Sequence, residues 1–216
     1  MDARDTTARD VILGRVRSAL RTARIPAEPE PPPLPVASLE LAGAAQWRER
    51  FVAELCALGV AVHEERNAEE VRARVRQLVA GRRVLAWPAR ALPYEIGSAL
   101  FENGAIDGRA PRADQAACDV GVTGVDAAIA ETGTIALVSS SDHPRTASLL
   151  PPVHVAVVRA DQIVPTLSKC FERLGAAIPG ASAVNFVTGP SRTADIELQL
   201  TLGVHGPGEL IVVIGP

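Results

Sequence analysis

Short runs dominated by Val, Ile and Leu alternate along this chain with stretches whose apolar residues recur at helical spacing, and that alternation restricts the fold most. Residues 60–63, 83–87, 152–158, 183–188 and 209–214 read as strands, most of them flanked by Gly or Pro. Residues 41–58 place Trp47, Phe51 and Leu55 on one helical face and stop at Gly59. Asn67 opens another helix with Glu70 in the capping-box position, followed by Val71, Val75, Leu78 and Val79. Residues 94–102 predict a third helix, ended by Asn103-Gly104. Asp161 is expected to cap a fourth, carrying Ile163, Leu167, Cys170, Phe171 and Leu174 and ending at Gly175. Strands alternating with helices imply an α/β fold, a mostly parallel sheet with helices on both faces. In such sheets ligands are expected beyond the carboxyl ends of the strands, where strand order reverses.

The N-terminal part is organised differently. Residues 9–23 predict an amphipathic helix with Ile12, Val16, Ala19, Leu20 and Ala23 on one face, and Arg15, Arg17, Arg21 and Arg24 mainly on the other. Six of the ten residues from Pro26 to Pro35 are proline, which implies a stiff extended spacer or a proline-rich ligand segment. The chain is therefore expected to comprise a helix and spacer over residues 1–36 and an α/β domain over residues 37–216. The arm can dock on its own domain, on a partner, or on a second copy to form a homo-oligomer.

Composition removes several function classes. Aromatics make up 3% of the chain, so the core is aliphatic and platforms for stacking bases are not expected. A formal net charge of -3 lacks the basic field that nucleic acid requires. Lys169 is the single lysine, which leaves Schiff-base chemistry one candidate, on an ordinary helix. No apolar run approaches the ~20 residues needed to span a bilayer, and the N-terminus has no secretory apolar region, so a cytoplasmic protein is expected. Cys56, Cys118 and Cys170 are isolated, without the CxxC spacing of a cluster or zinc site, so no metal or cofactor is expected on this chain.

Three segments break the strand–helix pattern. In the first, residues 129–138 read as two short strands joined at Gly133, with Glu131, Thr132 and Thr134 packed around the turn. A carboxylate between hydroxyls beside exposed N–H groups suits ligand recognition or acid/base work. A hairpin whose threonines simply satisfy the turn accounts for it equally. The second, residues 139–152, carries His143 and Arg145, and Arg145 can clamp a carboxylate or phosphate or stand free in solvent. His154 follows in a strand, where a lone histidine is more often structural. The third, Gly189-Pro-Ser191-Arg192-Thr193-Ala-Asp195, makes an anion-binding turn if the next residues begin a helix. His205-Gly-Pro-Gly208 reads as a turn before the last strand. No GxSxG, Walker A or GxGxxG pattern occurs at these places.

Four ordered motifs carry a resemblance to a known family: Val122-Thr-Gly-Val-Asp-Ala-Ala-Ile-Ala-Glu-Thr-Gly-Thr134, Leu149-Leu-Pro-Pro-Val-His-Val-Ala-Val-Val158 with Ile163-Val-Pro165, Gly189-Pro-Ser-Arg-Thr-Ala-Asp-Ile-Glu197, and Gly203-Val-His-Gly-Pro207. They resemble the signature of the LUD domain, over roughly residues 39–216. The resemblance implies a fold similar to that of sugar-phosphate isomerases, CoA transferases and formyltetrahydrofolate cyclo-ligases. It also implies a role in oxidising L-lactate to pyruvate beside an Fe–S protein and a second subunit that joins Fe–S motifs to its own LUD domain. This chain would be the subunit without clusters, holding a small carboxylate or related anion. The residues carried over as motif positions are Glu131, Thr132, Gly133, Thr134, Arg145, Ser191, Arg192, Thr193 and Asp195. In this reading Arg192 or Arg145 clamps the carboxylate, the hydroxyls and N–H groups orient it, and Glu131 is the catalytic base or a hydrogen-bond acceptor. Two alternatives remain at this point: an acyl or CoA-type transferase using Glu131 as nucleophile, and a non-catalytic module that assembles or regulates Fe–S partners.

Overall fold

The computed structural model describes residues 3–23, 43–193 and 201–216. The chain divides into two compact units, Met1–Ala37 and Ser38–Pro216. In the first, α1 (Ala3–Thr22) is a helix on which Ile12, Val16 and Leu20 are exposed. The proline run and the expected helix start at Leu41 lie outside the described residues.

In the second unit, α2 (Ala44–Ala57) passes through Gly59, whose φ of 79° suits the residue after a helix end, into β1 (Ala61–Glu64). The Asn67 side chain accepts the Glu70 N–H at 2.9 Å and starts α3 (Ala68–Val79), which leads to β2 (Val84–Ala86). Two 3-10 turns, Ala89–Ala91 and Pro93–Glu95, precede α4 (Ile96–Glu102) and α5 (Arg112–Ala116). Next come β3 (Val120–Thr123), β4 (Ala127–Ile129), β5 (Thr134–Val138), α6 (Thr146–Leu149) and β6 (Val153–Arg159). A 3-10 turn then leads to β7 (Ile163–Val164), α7 (Leu167–Leu174), β8 (Val184–Val187), β9 (Arg192–Thr193), β10 (Thr201–Leu202) and β11 (Glu209–Gly215).

The five-stranded sheet runs in the order β1-β11-β6-β3-β2 with every neighbouring pair parallel, as the alternation of elements demands. Helices lie on both of its faces. Arg48 of α2 pairs with Glu64 at 2.7 Å, while the charge of Arg74 of α3 acts on His63, and adjacent residues of a strand point to opposite faces. Val120, Val122, Val155–Val158 and Ile211–Ile214 are buried in the main core with Phe51 and Leu55.

A second, mixed sheet of order β7-β4-β5-β8 was not legible as a separate layer. The tight turn between β4 and β5 forces an antiparallel pair, which an all-parallel sheet cannot accept. Both faces of this hairpin are covered. Ala128, Ala130, Ile135 and Leu137 face the main core, and Ala127, Ile129, Ala136 and Val138 pack with Cys170 and Leu174 of α7. Burial on both sides is why residues 127–130 and 135–138 are apolar without alternation.

Two expected helices differ. Asp161 lies in the 3-10 turn Ala160–Gln162, and Ile163 and Val164 pair with Ala128 and Ile129 as a strand. Pro165 disfavours helix in the residue before it, so α7 starts at Leu167 with the Thr166 side chain accepting the Lys169 N–H. Tyr94 and Glu95 adopt left-handed φ values of 57° and 56° and separate the Pro93–Glu95 turn from α4. The Tyr94 hydroxyl donates to the Pro216 carbonyl at 2.7 Å, and Arg72 donates to the Tyr94 carbonyl at 3.2 Å, holding this unfavourable backbone in place.

The short helix α6 lies so close on β3 that Gly121 has no room for a side chain. A Cβ there would stand 1.8 Å from the Ala147 carbonyl oxygen. Gly121→Ala is therefore expected to lower stability by about 3 kcal/mol, the upper range for forcing one carbon into a packed core. Urea denaturation measures it, and an unchanged midpoint would show that α6 yields freely.

Candidate functional site

The turn between β4 and β5 places its polar groups close to three other elements. Glu131 turns its carboxylate toward α7 and accepts the Leu167 N–H at 2.8 Å through Oε1. A negative charge is favourable at a helix N-terminus, so the contact of Glu131 is that of a helix cap. A nucleophilic role would need this carboxylate free. The Thr132, Thr134 and Thr188 hydroxyls form a chain with 2.7 Å at each link, tying the turn to the end of β8. Gly133, at φ 62°, lies against α2, where a Cβ would come within 2.9 Å of Glu54 and Leu55.

The remaining motif residues serve separate elements. Arg192 donates through Nη2 to the carbonyl of Leu58, the residue that caps α2, where a cation is favoured. Arg192 and Thr193 form β9, paired with Leu202 and Thr201, so no helix begins at Arg192; the residues after Thr193, where the helix N-terminus for an anion was expected, lie outside the described residues. Ser191 donates its N–H to Pro207 at 2.9 Å and accepts from Gly203 at 3.0 Å. Arg145 is exposed, and its side chain makes no hydrogen bond or ion pair with the described residues; its carbonyl accepts the Ser148 hydroxyl at 3.0 Å. Asp195 lies outside the described residues. Glu131, Arg145 and Arg192 are thus not gathered around one cavity.

What the fold does build is a cleft of about 190 Å³ beside this turn. Its polar lining comes from Ser148, His154, Thr188, Ser191 and His205. Its apolar walls are Leu149, Phe186, Val187, Pro207 and Leu210. His154, Gly121 and Leu210 stand in register across β6, β3 and β11. His154 and Leu210 are each the second residue of their strand, so the cleft opens at the amino ends of the parallel strands, opposite to the expectation. At the carboxyl ends, the space between Arg90, Gly124, Val125, Arg159 and Gln162 is about 130 Å³. There Arg90 pairs with Asp142, Arg159 with Asp161 at 2.9 Å, and His143 stacks on Trp87 with ring centroids 3.9 Å apart.

His154 is 1% exposed. Nε2 lies 2.8 Å from the Thr123 hydroxyl, whereas Nδ1 has no partner among the described residues. Burial alone lowers its pKa to about 4, so the ring is neutral near pH 7. His143 behaves oppositely. Burial works against its charged form, but the Asp126 carboxylate 3.4 Å away and the Val138 carbonyl outweigh that and raise its pKa. Among the described residues, no group of three or more His, Cys, Asp and Glu is placed to hold a metal, and no helix is long and apolar enough to cross a membrane.

Sequence reasoning reached Thr188's neighbours and Ser191 but passed over His154 and His205, read as a strand histidine and a turn. The available signal was the position of His154 as the single polar residue within the apolar run 153–158, where a neutral ring still needs hydrogen-bond partners.

Comparison with known proteins agrees with the fold. The sequence model of the LUD domain family matches residues 48–214, a span that includes every residue of the cleft. Lactate utilization protein C of Bacillus licheniformis is 39% identical over 120 residues, covering 53% of this chain and 48% of that protein. Lactate utilization protein C of Bacillus subtilis is 41% identical over 102 residues, covering 44% and 41%. The chain therefore spans about half the length of these curated relatives. A crystal structure of a DUF162 family protein from Deinococcus radiodurans matches with a TM-score of 0.64 at 24% identity, over 81% of this chain and 99% of that one, and shares the α/β fold.

Two outcomes follow from these contacts. Glu131→Ala is expected to cost about 1 kcal/mol, as for a lost helix cap, with thermal unfolding as the readout; a loss of activity at full stability would contradict a capping role. His154, with its folded pKa below the ordinary 6.5, binds fewer protons in the folded than in the unfolded state between pH 6.5 and 4. Stability from this group is full above pH 6.5 and falls by about 3 kcal/mol as pH drops through that window. His143 contributes with the opposite sign, its stabilisation being present at low pH and lost as pH rises through its raised pKa. His154→Gln should flatten the acid limb of a stability–pH curve; an unaltered slope would reject a buried neutral ring.

Proposed function

The chain belongs to the LUD domain family, and on that premise we propose that it serves lactate utilization, as the subunit without clusters in a cytoplasmic system that oxidises L-lactate to pyruvate. Iron–sulfur subunits are its partners in this reading. Iron–sulfur chemistry would come from those partners; on this chain Cys56 is exposed on α2, Cys118 is buried before β3 and Cys170 is buried in α7.

One observation carries the ligand part of the reading: His154, whose buried Nδ1 has no partner among the described residues, lines a cleft together with three hydroxyl residues. A buried polar atom left unpaired costs roughly 1–3 kcal/mol, and a ligand oxygen would relieve it. The cleft of about 190 Å³ matches a small metabolite rather than a nucleotide. Among the described residues its lining holds no Arg or Lys, so a small carboxylate would rest on Ser191, Thr188 and His205, with its apolar carbons against Leu149, Phe186 and Leu210. The Thr132–Thr134–Thr188 chain fixes the hydroxyl side of that cleft relative to the β4–β5 turn.

Deleting the gene in a strain without a paralogue is expected to abolish growth on L-lactate as sole carbon source and leave growth on pyruvate intact. The wild-type chain should restore growth, and His154→Leu should not. Undiminished growth of the deletion strain on L-lactate would overturn the role.

A further inference from the structure

The hydrogen bond behind His154 decides what the cleft can recognise. Thr123 and His154 are both buried, at 0% and 1% exposure, and lie 2.8 Å apart through Oγ1 and Nε2. A neutral imidazole carries one N–H, and the partner of one nitrogen sets which nitrogen holds it. Among the described residues, Nε2 is the one group recorded as a partner for the Thr123 hydroxyl. If Nε2 carried the proton, the threonine hydroxyl would accept it, and its own hydrogen would point into apolar core without an acceptor. If Thr123 donates to Nε2, the hydroxyl and Nε2 are satisfied and the ring proton sits on Nδ1, which is then the one polar atom of the pair without a partner among the described residues. The first arrangement leaves two buried polar groups unpaired, the Thr123 hydroxyl hydrogen and Nδ1, and the second leaves Nδ1–H alone, so the second is favoured.

We propose that Thr123 holds His154 in the Nδ1–H tautomer, so that the cleft presents a fixed donor to a carbonyl oxygen and binds a small 2-oxo acid in preference to the corresponding 2-hydroxy acid. This rests on the lactate-utilization reading for the substrate class. A carbonyl oxygen only accepts, as Nδ1–H requires, whereas a hydroxyl placed there also brings a hydrogen that needs an acceptor of its own, and Leu149, Phe186 and Leu210 offer none. The ring stays neutral because burial holds its pKa near 4, so it donates without charge and does not attract anions at large. The carboxylate of the same ligand faces the exposed His205 and the Ser191 side of the cleft. Thr123 does not line the cleft; it acts through His154 and is a positioning residue.

The test is a titration of the full ¹⁵N-labelled chain with pyruvate and with L-lactate, following the imidazole nitrogens of His154. Before ligand, Nδ1 should show the shift of a protonated ring nitrogen and Nε2 that of an unprotonated one. Pyruvate should perturb Nδ1 and bind about fivefold or more tightly than L-lactate, the worth of one neutral hydrogen bond. Thr123→Val removes the donor at nearly constant shape and should shift the proton to Nε2 and abolish the preference, while Thr123→Ser should restore both. A proton on Nε2 in the free wild type, or equal affinity for the two acids, would overturn the proposal. Its failure is separable from that of the role. Growth on L-lactate lost on deletion, with no pyruvate effect at His154, rejects the 2-oxo acid site and leaves lactate utilization standing. Normal growth of the deletion strain, with pyruvate seated on Nδ1, rejects the role and leaves the site.

Discussion

Residues 127–130 and 134–138 are shielded from water on both sides of their strands, and the rest of the domain is arranged around that burial. One set of side chains, Ala128, Ala130, Ile135 and Leu137, completes the main core, and the alternate set, Ala127, Ile129, Ala136 and Val138, closes the smaller core under α7. The residues are small on both faces, which lets the hairpin lie close to its neighbours. Its turn then reaches α2 through Gly133, α7 through Glu131 and β8 through the threonine hydroxyls. Moving the hairpin would break all of these contacts together, so core packing holds the Thr188 side of the cleft, while the loop residues Gly189, Ser191 and His205 close it from the other elements.

Polar groups near the hairpin divide into two kinds. Glu131 and Arg192 meet helix ends, a carboxylate at the start of α7 and a guanidinium at the end of α2, where the backbone leaves N–H and C=O groups unpaired. Those contacts are stabilising and leave the two charges occupied. His154 is different in kind: it is wholly buried, loses its charge to desolvation, and keeps one nitrogen unpaired at a cavity. The close seat of α6 on Gly121 brings Ser148 and Leu149 to the same cavity. A structural histidine would be expected to use both nitrogens, so the incomplete pairing points to a ligand rather than to the core.

Much of the frame was legible without coordinates. The parallel sheet, α2 and α3 follow from apolar periodicity, the Asn67 cap and the stop at Gly59, because these signals act within a few residues of one another. The hairpin at Gly133 was also legible, as was the polar character of its turn. The contacts of that turn were not. Glu131 meets Leu167, Thr134 meets Thr188 and Arg192 meets Leu58, and nothing local tells a capping carboxylate from a catalytic one. The helix expected from Asp161 failed for a related reason: Ile163 and Val164 fit a helical stripe, but pairing with β4 and the restraint of Pro165 prevailed.

By itself, then, the sequence determined the α/β class, the strand–helix order, the family signature and the segments in which function is concentrated, since each depends on local spacing and residue type. The tertiary structure decided which residues of those segments face a ligand. It folded the second sheet away from the first, spent Glu131 and Arg192 on helix ends, and set His154 in register with Gly121 and Leu210 at the amino ends of the strands. Those outcomes depend on contacts between residues tens of positions apart, where burial and hydrogen-bond satisfaction act on the folded chain as a whole.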